Sequence, residues 1–236
     1  MTEELEVEQL SVNYGAVVAL EDVSFRLASH RLVALLGRNG SGKTTLLKAL
    51  SGLIRPHAGR LIWAGTPVVG TKARMAYLPQ RDAVDWNFPI TVRGVVEMGR
   101  FPFVGWFGTF GPNDVKQVDR ALDQMQMTDL QNRRISELSG GQQQRAFIAR
   151  ALAQEADVFL FDEVFNGLDA PTQDNLAGLL RHLAEGGKLI IVSHHDLKTI
   201  HDYFDDALVL DRRLVYCGNV GEAQFSDRLK EAGLHG

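Results

Sequence analysis

Three glycines, a lysine and a threonine fall within eight consecutive residues, 37–44, of this sequence. The segment reads Gly37, Arg38, Asn39, Gly40, Ser41, Gly42, Lys43 and Thr44. An apolar run, 32–36, precedes it, as in a strand buried on both faces, and residues 43–51 have helical spacing. The glycines let consecutive backbone N–H groups curl toward a bound anion. The segment is therefore predicted to be a phosphate-binding loop between a strand and a helix.

This loop predicts ATP as the ligand, with Mg²⁺ beside it. Lys43 is expected to reach the β and γ phosphates, and the hydroxyl of Thr44 suits the Mg²⁺ ion. The helix that begins near Lys43 adds the positive end of its dipole at the same place. We expect every residue of 37–44, and Thr45 after it, to contact the nucleotide.

Composition limits the class of protein. Of the 236 residues, 45% are hydrophobic and 23% charged, as is ordinary for a globular protein, and a net charge of −4 gives no reason to expect nucleic acid as a partner. Cys217 is the only cysteine, so no intramolecular disulfide forms. Residues 1–9 lack the order of a signal peptide, and no apolar run approaches the ~20 residues of a membrane helix. We therefore expect a cytoplasmic protein that reaches a membrane only through a partner.

Strand and helix patterns alternate along most of the chain. Strands are predicted at 5–14, 23–27, 32–36, 60–63, 73–78, 158–161, 188–192, 207–210 and 213–216. Helices are predicted at 43–51, 115–125, 142–154, 172–183 and 197–203, with another short one at the end. This alternation predicts an α/β domain whose parallel or mixed sheet is covered on both faces.

The stretch 82–131 interrupts the alternation and is crowded with aromatic residues among glycines and prolines. These are Trp86, Phe88, Phe101, Phe103, Trp106, Phe107 and Phe110. A surface that receives a partner helix has this composition, and a small core inside the stretch is the alternative. We interpret the stretch as a mostly helical insert with an aromatic entrance.

A second apolar run, 158–161, ends in two acidic residues, Asp162 and Glu163. Asp162 would hold Mg²⁺ through its water shell, and Glu163 would orient or deprotonate the attacking water. Many strands end in acidic residues, so the pair alone is a weak indication of a catalytic site, and the glycine loop upstream strengthens it. Together the two features predict a site that hydrolyses ATP.

Residues 138–145 contain a second candidate anion site. They read Leu138, Ser139, Gly140, Gly141, Gln142, Gln143, Gln144 and Arg145. Ser139 is expected to cap the following helix, and the two glycines expose backbone donors of its first turn. On this pattern alone, a simple helix cap remains an alternative to a γ-phosphate site.

In order and approximate spacing, 37–44, 138–145 and 158–163 resemble the motifs of ATP-binding-cassette (ABC) ATPases. The resemblance covers essentially the whole chain. It implies a single ABC ATPase domain over residues 1–236, with a phosphate-loop core and mainly parallel sheet. It also implies an N-terminal antiparallel β-subdomain and a helical subdomain inserted at approximately 82–155.

The resemblance also assigns roles to individual residues. Tyr14 would stack on adenine, Gln80 would sense Mg²⁺ at the start of the insert, and Asp169 would belong to a loop that crosses between subunits. Their plain alternatives are a half-buried strand tyrosine, a polar loop residue and a helix cap before Pro171. The residue after the expected catalytic base is Val164, where the family usually has proline.

Two adjacent histidines compete for the position that contacts the γ-phosphate in the family. Aligning Asp196 and Leu197 with the family pattern puts His195 in that position and His194 in the place of a small residue. A slip by one residue is the alternative. A metal site of these two histidines with His201 is disfavoured, because no further ligand has suitable spacing.

Residues 84–92 and 98–100, together with Gln80, closely resemble the same region in bacterial importers of manganese, zinc or iron. This implies a separate nucleotide-binding subunit on the inner face of the cell membrane. Two copies would sandwich ATP between 37–44 of one chain and 139–142 of the other, beneath integral membrane permease subunits. A substrate-binding protein would be an indirect partner. The alternatives are an ABC ATPase that drives the transport of another substrate, a soluble remodelling ATPase of the same family, and a phosphate-loop kinase.

Overall fold

The computed structural model describes residues 3–68, 75–80, 84–105 and 108–234. Within these ranges the strands are β1 Glu4–Tyr14, β2 Val17–Ala28, β3 Arg31–Leu36, β4 Ala58–Trp63, β5 Thr66–Pro67, β6 Met75–Leu78, β7 Val158–Phe161, β8 Leu189–Ser193, β9 Asp206–Asp211 and β10 Arg213–Asn219. The α-helices are α1 Lys43–Leu50, α2 Val92–Glu97, α3 Phe101–Val104, α4 Pro112–Gln124, α5 Gly140–Ala153, α6 Ala170–Glu185, α7 Ile200–Tyr203 and α8 Phe225–Glu231. Across the described ranges, no helix is long and apolar enough to cross a membrane.

The larger sheet has the strand order β10-β9-β3-β8-β7-β6. All neighbouring pairs are parallel except β10 with β9. Every residue of β3 after Arg31 is buried, because layers cover both faces of the sheet. The predicted mainly parallel sheet is confirmed. Since parallel strands end at the same edge, the loops after β3, β6, β7 and β8 meet there.

The smaller sheet is antiparallel and has the order β2-β1-β4-β5. Successive residues of β3 face opposite sides, so the strand serves two cores. Val33 and Leu35 belong to the core shared with β1, β2 and α1. Leu32 and Ala34 belong to the core shared with the helices of the insert and α6. The expected N-terminal antiparallel β-subdomain is therefore present.

A buried arginine fastens the helical insert together. Arg100 is 2% exposed and donates to Asp114 Oδ1 at 2.9 Å and Glu155 Oε2 at 2.6 Å. The same guanidinium donates to the carbonyl oxygen of Ala153 at 2.8 Å. One side chain thus joins the start of α4 to the end of α5, with both partner carboxylates compensating its buried charge.

The aromatic residues of the insert divide between core and surface. Trp86 packs on Phe147 of α5, with ring centroids 5.0 Å apart. Phe101 lies beside Phe110 at 6.3 Å. These contacts fit the alternative of a small core inside the insert.

Other apolar side chains of the insert remain exposed to solvent. Phe88, Phe103 and Met98 are 58%, 44% and 40% exposed. The two remaining aromatics, Trp106 and Phe107, lie outside the described residues. The expected aromatic surface therefore rests on Phe88 and Phe103 among the described residues.

Helix α5 is fastened to β6, the edge strand of the larger sheet. Arg150 Nη2 donates to the carbonyl of Tyr77 at 3.1 Å, and Gln154 Nε2 donates to the carbonyl of Met75 at 3.0 Å. Among the described strands, β6 has a neighbour only on the β7 side, so these side chains satisfy carbonyl groups on its open edge. The strand that leads to Gln80 is therefore fixed to the helix that begins beside Ser139.

Several element boundaries differ from the sequence predictions. Strand β2 begins at Val17, well before the predicted 23–27. The helix predicted at 197–203 is a 3-10 turn, Leu197–Thr199, followed by α7. Helix α2 is an unpredicted element whose Thr91 cap accepts from the Gly94 amide at 3.1 Å. Residues 73 and 74 of the predicted strand 73–78, and residues 82 and 83 at the expected start of the insert, lie outside the described residues.

Candidate nucleotide site

The predicted site residues gather at the carboxyl edge of the larger sheet. The loop 37–42 follows β3, Gln80 follows β6, Asp162 follows β7, and His195 follows β8. In an open parallel sheet, this edge is where ligands bind. Four segments that are far apart in sequence are thereby brought to one place.

The glycines at 37 and 42 are required by their surroundings. A Cβ at Gly37 would collide with Ser41 and would lie 2.5 Å from the carbonyl oxygen of Leu210. A Cβ at Gly42, where φ is +101°, would lie 2.8 Å from the carbonyl oxygen of Ala19. The loop is therefore folded too tightly for side chains at these positions, as a cradle for phosphate oxygens requires.

Lys43 is the buried cation of this loop. Its ammonium donates to the carbonyl oxygens of Gly37 at 2.7 Å and Arg38 at 3.1 Å. Burial lowers the pKa of Lys43, while the negative charges of Glu163 and Asp162 act in the opposite direction. The loop and both predicted carboxylates therefore share one electrostatic site.

Two side chains from neighbouring strands hold the carboxylate of Asp162, which is 2% exposed. Ser193 Oγ donates to Oδ1 at 2.8 Å, and Tyr77 OH donates to Oδ2 at 3.4 Å. Burial and the negative charge of Asp162 together raise the pKa of Tyr77. Because Tyr77 stays protonated, it remains a donor to this carboxylate. Neither Ser193 nor Tyr77 was predicted from the sequence as part of the site.

Glu163 has an unusual backbone for a glutamate, with φ at +55°. Its N–H donates to Ser193 Oγ at 2.8 Å, and its Oε2 accepts from Asn166 Nδ2 at 2.7 Å. The carboxylate is therefore oriented by a residue three positions further along the chain. Asn166 is a further contact that sequence reasoning did not identify.

The residues available for Mg²⁺ are of the right kind, because Mg²⁺ prefers oxygen ligands and keeps several waters. The hydroxyl of Thr44 directly follows Lys43, and the charge of the Asp162 carboxylate acts on the ammonium of Lys43. Across the described ranges, no three His, Cys, Asp or Glu side chains form a group that could hold a metal ion. A metal ion at this edge would therefore need phosphate oxygens and water to complete its shell.

Helix α5 begins with the predicted cap. Ser139 Oγ accepts from the Gln142 amide at 3.4 Å, and Gln142 Oε1 accepts from the Ser139 amide at 3.0 Å. Gln144 Nε2 donates to the carbonyl oxygen of Val164, the residue in the family's usual proline position. The start of α5 is therefore tied to the loop that follows Glu163.

Asp169 caps helix α6. Its Oδ1 accepts from the Thr172 amide at 3.1 Å, and Pro171 occupies the first turn. Hydrogen bonds from Thr172 lower the pKa of Asp169. The helix-cap alternative is thus present in the structure.

Ser139 and Asp169 lie on a groove of about 870 Å³ between the starts of α5 and α6. Gly140, Gly141, Gln142, Gly167 and Leu168 also line it. No residue of 37–44 lies among its described lining. The glycine loop follows β3 at the sheet edge that also carries Asp162 and Glu163, whereas Ser139 and Asp169 line a groove to which 37–44 does not contribute.

The two adjacent histidines have opposite environments. His194 is 3% exposed, Thr199 Oγ1 lies 2.9 Å from its Nε2, and its ring packs on Phe165 and Phe204. Burial, and then the charge of His195, lowers the pKa of His194 to about 4. His195 is exposed at the sheet edge. His194 is therefore a core residue. The contact of His195 with the γ-phosphate stays a prediction.

Tyr14 stands at the end of β1 and is 51% exposed. It pairs with Val17 in the hairpin that leads into β2. The same hairpin approaches the glycine loop, because Ala19 and Leu20 are the neighbours that a Cβ at Gly42 would meet. An exposed aromatic ring on a hairpin that approaches the phosphate loop is suited to stacking on a base.

The profile of the ABC transporter family matches residues 20–166, more than half of the chain. The chain belongs to the ABC transporter family. Members of this family hydrolyse ATP to power transport, so the chain is an ABC ATPase. Membership in this family also accounts for the motif at residues 138–145, which the phosphate-loop kinase alternative leaves unexplained.

Named relatives of this ABC ATPase cover nearly its whole length. The manganese transport system ATP-binding protein MntB of Halalkalibacterium halodurans is 42% identical over 92% of this chain and 87% of its own. The zinc transport system ATP-binding protein TroB of Treponema pallidum is 41% identical over 97% of this chain and 86% of its own. A solved structure titled as an inward-facing conformation of a putative metal-chelate type ABC transporter superposes with a TM-score of 0.84, 29% identity and coverage of 99% of this chain and 89% of that chain.

Proposed function

We propose that this chain is the nucleotide-binding subunit of an importer for a divalent transition metal ion, manganese, zinc or iron. The observation that carries the proposal is 40–42% identity, over 92–97% of the chain, to proteins named for manganese, zinc or metal transport. The transported metal passes through a separate permease and does not touch this chain.

ATP is hydrolysed at the carboxyl edge of the larger sheet. Lys43 and the backbone of 37–44 hold the phosphates, and Tyr14 stacks on adenine. Glu163 orients or deprotonates the attacking water, and His195 contacts the γ-phosphate. The shared electrostatic environment of Lys43 and Glu163 supports this arrangement.

Mg²⁺ bound with ATP would neutralise phosphate charge, and the oxygens of Thr44, Asp162 and Gln80 suit it. Gln80 follows β6, which α5 holds through Arg150. A displacement of Gln80 would therefore be transmitted through β6 and Arg150 to helix α5 of the insert.

Two copies of the chain complete each site. The groove that contains Ser139 and Asp169 has no lining residue from the chain's own loop 37–44, which supports a site shared between copies. The N–H groups at the start of α5, near Gly140 and Gly141, then meet the γ-phosphate of the partner's ATP. Loss of that phosphate on hydrolysis loosens the pair.

Glu163→Gln tests this arrangement. We expect the variant to bind ATP, to hydrolyse it at least ~100-fold more slowly, and to accumulate as a dimer with ATP. Light scattering and phosphate release measure these effects. Glu185→Gln, an exposed residue at the end of α6, is the matched control. Hydrolysis by Glu163→Gln at the wild-type rate would show that Glu163 is not the base.

The partner on the membrane is an integral permease, and a substrate-binding protein delivers the metal to that permease. This places the chain on the inner face of the cell membrane. The exposed Phe88 and Phe103 of the insert support a docking surface for the permease. A soluble remodelling ATPase of the same family is the alternative. Co-purification with a membrane protein distinguishes the two, because the alternative predicts none.

A further inference from the structure

We propose that Ser193 is a positioning residue that sets the geometry of Asp162 and Glu163 from the neighbouring strand. Its hydroxyl donates to Asp162 Oδ1 at 2.8 Å and accepts from the Glu163 N–H at 2.8 Å. A single side chain thereby fixes the carboxylate suited to Mg²⁺ and the backbone of the catalytic base. The inference rests on the proposed roles of Asp162 and Glu163.

The direction of both hydrogen bonds follows from chemistry. A backbone N–H can only donate, so the Ser193 oxygen must accept from Glu163. An ionised carboxylate can only accept, so the one hydroxyl proton of Ser193 points at Asp162. Ser193 and Asp162 are 1% and 2% exposed, so water does not compete for this pair of bonds. The hydroxyl therefore has one arrangement that satisfies both partners.

The backbone of Glu163 needs the hydrogen bond to Ser193 more than Asp162 does. Its φ of +55° is uncommon for any residue other than glycine, and such a conformation persists only when its surroundings hold it. The Ser193 bond holds the N–H of Glu163 on one side. The Asp162 N–H is held by the carbonyl oxygen of Leu78 at 3.0 Å. The turn that aims the base is thus fixed by the strands on both sides of β7.

Ser193 also connects this turn to the residue expected at the γ-phosphate. It is the last residue of β8, two positions before the exposed His195. In the parallel register, Val192 pairs with Phe161, so Ser193 lies level with Asp162. A displacement of the end of β8 would therefore reach Asp162 and Glu163 through one hydroxyl. Tyr77 holds the other oxygen of Asp162 at a longer 3.4 Å, so it does not replace this link.

The test is Ser193→Ala in the full chain, with Ser193→Thr as the variant that keeps the hydroxyl. We expect Ser193→Ala to lower kcat for ATP about 10- to 100-fold and to raise the Mg²⁺ concentration for half-maximal rate several-fold, since a hydrogen bond to a charged group is lost. ADP affinity measured in EDTA stays within about twofold, because the backbone of 37–44 is intact. Ser193→Thr restores most of the rate.

A second readout needs neither nucleotide nor Mg²⁺. In the nucleotide-free chain, hydrogen exchange at the Glu163 amide should be about tenfold faster or more in Ser193→Ala. Ser29→Ala is the matched control, because Ser29 is also buried and also accepts from a backbone N–H, that of Glu3, at 3.2 Å. It lies before β3, at the opposite end of that strand from the site. We expect this control to keep wild-type exchange at Glu163 and wild-type kcat.

The outcomes separate this inference from the proposed function. Wild-type kcat, Mg²⁺ dependence and amide exchange in Ser193→Ala would overturn the role of Ser193 while leaving the ATPase in place. A loss of rate with unchanged exchange at Glu163 and unchanged Mg²⁺ dependence would also overturn it. If the wild-type chain does not hydrolyse ATP, the proposed function fails, and faster exchange in Ser193→Ala still supports the structural link.

Discussion

His194 and His195, which follow β8, differ in role because their side chains lie in different environments. His194 turns inward against Phe165 and Phe204, and His195 is exposed at the edge that carries the phosphate loop. The sequence alone left a one-residue slip open. Burial supports the alignment through Asp196 and Leu197, because a histidine packed in the core is not free to meet a γ-phosphate.

The burial of His194 predicts how stability depends on pH. Its pKa is about 4 in the folded chain and 6.5 as the ordinary value, so on acidification the unfolded chain takes up this proton first. The contribution of neutral His194 to the free energy of unfolding is fully present above pH 6.5. It is lost as pH falls toward 4, by up to about 3 kcal/mol. Urea unfolding between pH 4 and 7 measures it.

The variant that tests this pH dependence is His194→Asn. We expect it to be less stable at pH 7 and to lose less stability than the wild type on acidification, because its side chain does not titrate. His182→Gln, an exposed histidine on α6, is the control and should keep the wild-type slope. An unchanged slope in His194→Asn would rule out His194 as its source.

Among the elements, the segment from β3 to α1 agrees with its prediction to within one residue at each boundary. Strand β3 is Arg31–Leu36 against a predicted 32–36, and α1 is Lys43–Leu50 against 43–51. Local signals are strong here: a continuous apolar run, glycines and a helix start. By contrast, α2 and the four-residue α3 lack such signals, and tertiary contacts determine them.

The parts of the site that sequence reasoning missed are contacts between distant segments. Ser193 lies 31 residues from Asp162, and Tyr77 lies 85 residues from it. Neither residue type stands out in a motif, because a serine or tyrosine near a strand end is common. Only the strand order, which puts β6 and β8 on either side of β7, makes them partners. The motifs therefore predicted the phosphate contacts, and the fold supplied the residues that orient the carboxylates.

Arg100 holds elements of the helical insert to one another. Arg100→Met would remove a buried guanidinium and leave the carboxylates of Asp114 and Glu155, which are 15% and 43% exposed, without this partner. We expect the melting temperature to fall by roughly 5 to 10 °C. Differential scanning calorimetry measures the effect. Arg213→Met, which removes an exposed pair with Glu21, is the control and should change the melting temperature little. Equal melting temperatures for the two variants would contradict the role of Arg100 in holding α4 to the end of α5.

At the scale of the whole molecule, two surfaces have no partner within the described chain. One is the groove of Ser139 and Asp169, and the other consists of the exposed apolar side chains of the insert, Phe88, Met98 and Phe103. The first suits a second copy and the second suits a permease. These two contacts would connect hydrolysis at the sheet edge to movement in the membrane.

The permease contact can be tested separately from hydrolysis. We expect Phe88→Ala with Phe103→Ala to leave ATP binding by the isolated chain unchanged and to weaken co-purification with the permease at least ~30-fold. Leu53→Ala, an exposed apolar residue outside the insert, is the matched control. Undiminished co-purification by the double variant would place the docking surface elsewhere.

Metal uptake by cells that lack this chain tests the central claim most directly. Cells would be supplied with the wild-type chain, with Glu163→Gln or with neither, and the uptake of Mn²⁺, Zn²⁺ and Fe²⁺ would be compared. The account predicts that uptake of at least one of these ions falls without the chain, is restored by the wild type and is not restored by Glu163→Gln. Unchanged uptake of all three ions would contradict the metal importer, and restoration by Glu163→Gln would contradict its dependence on ATP hydrolysis at Glu163.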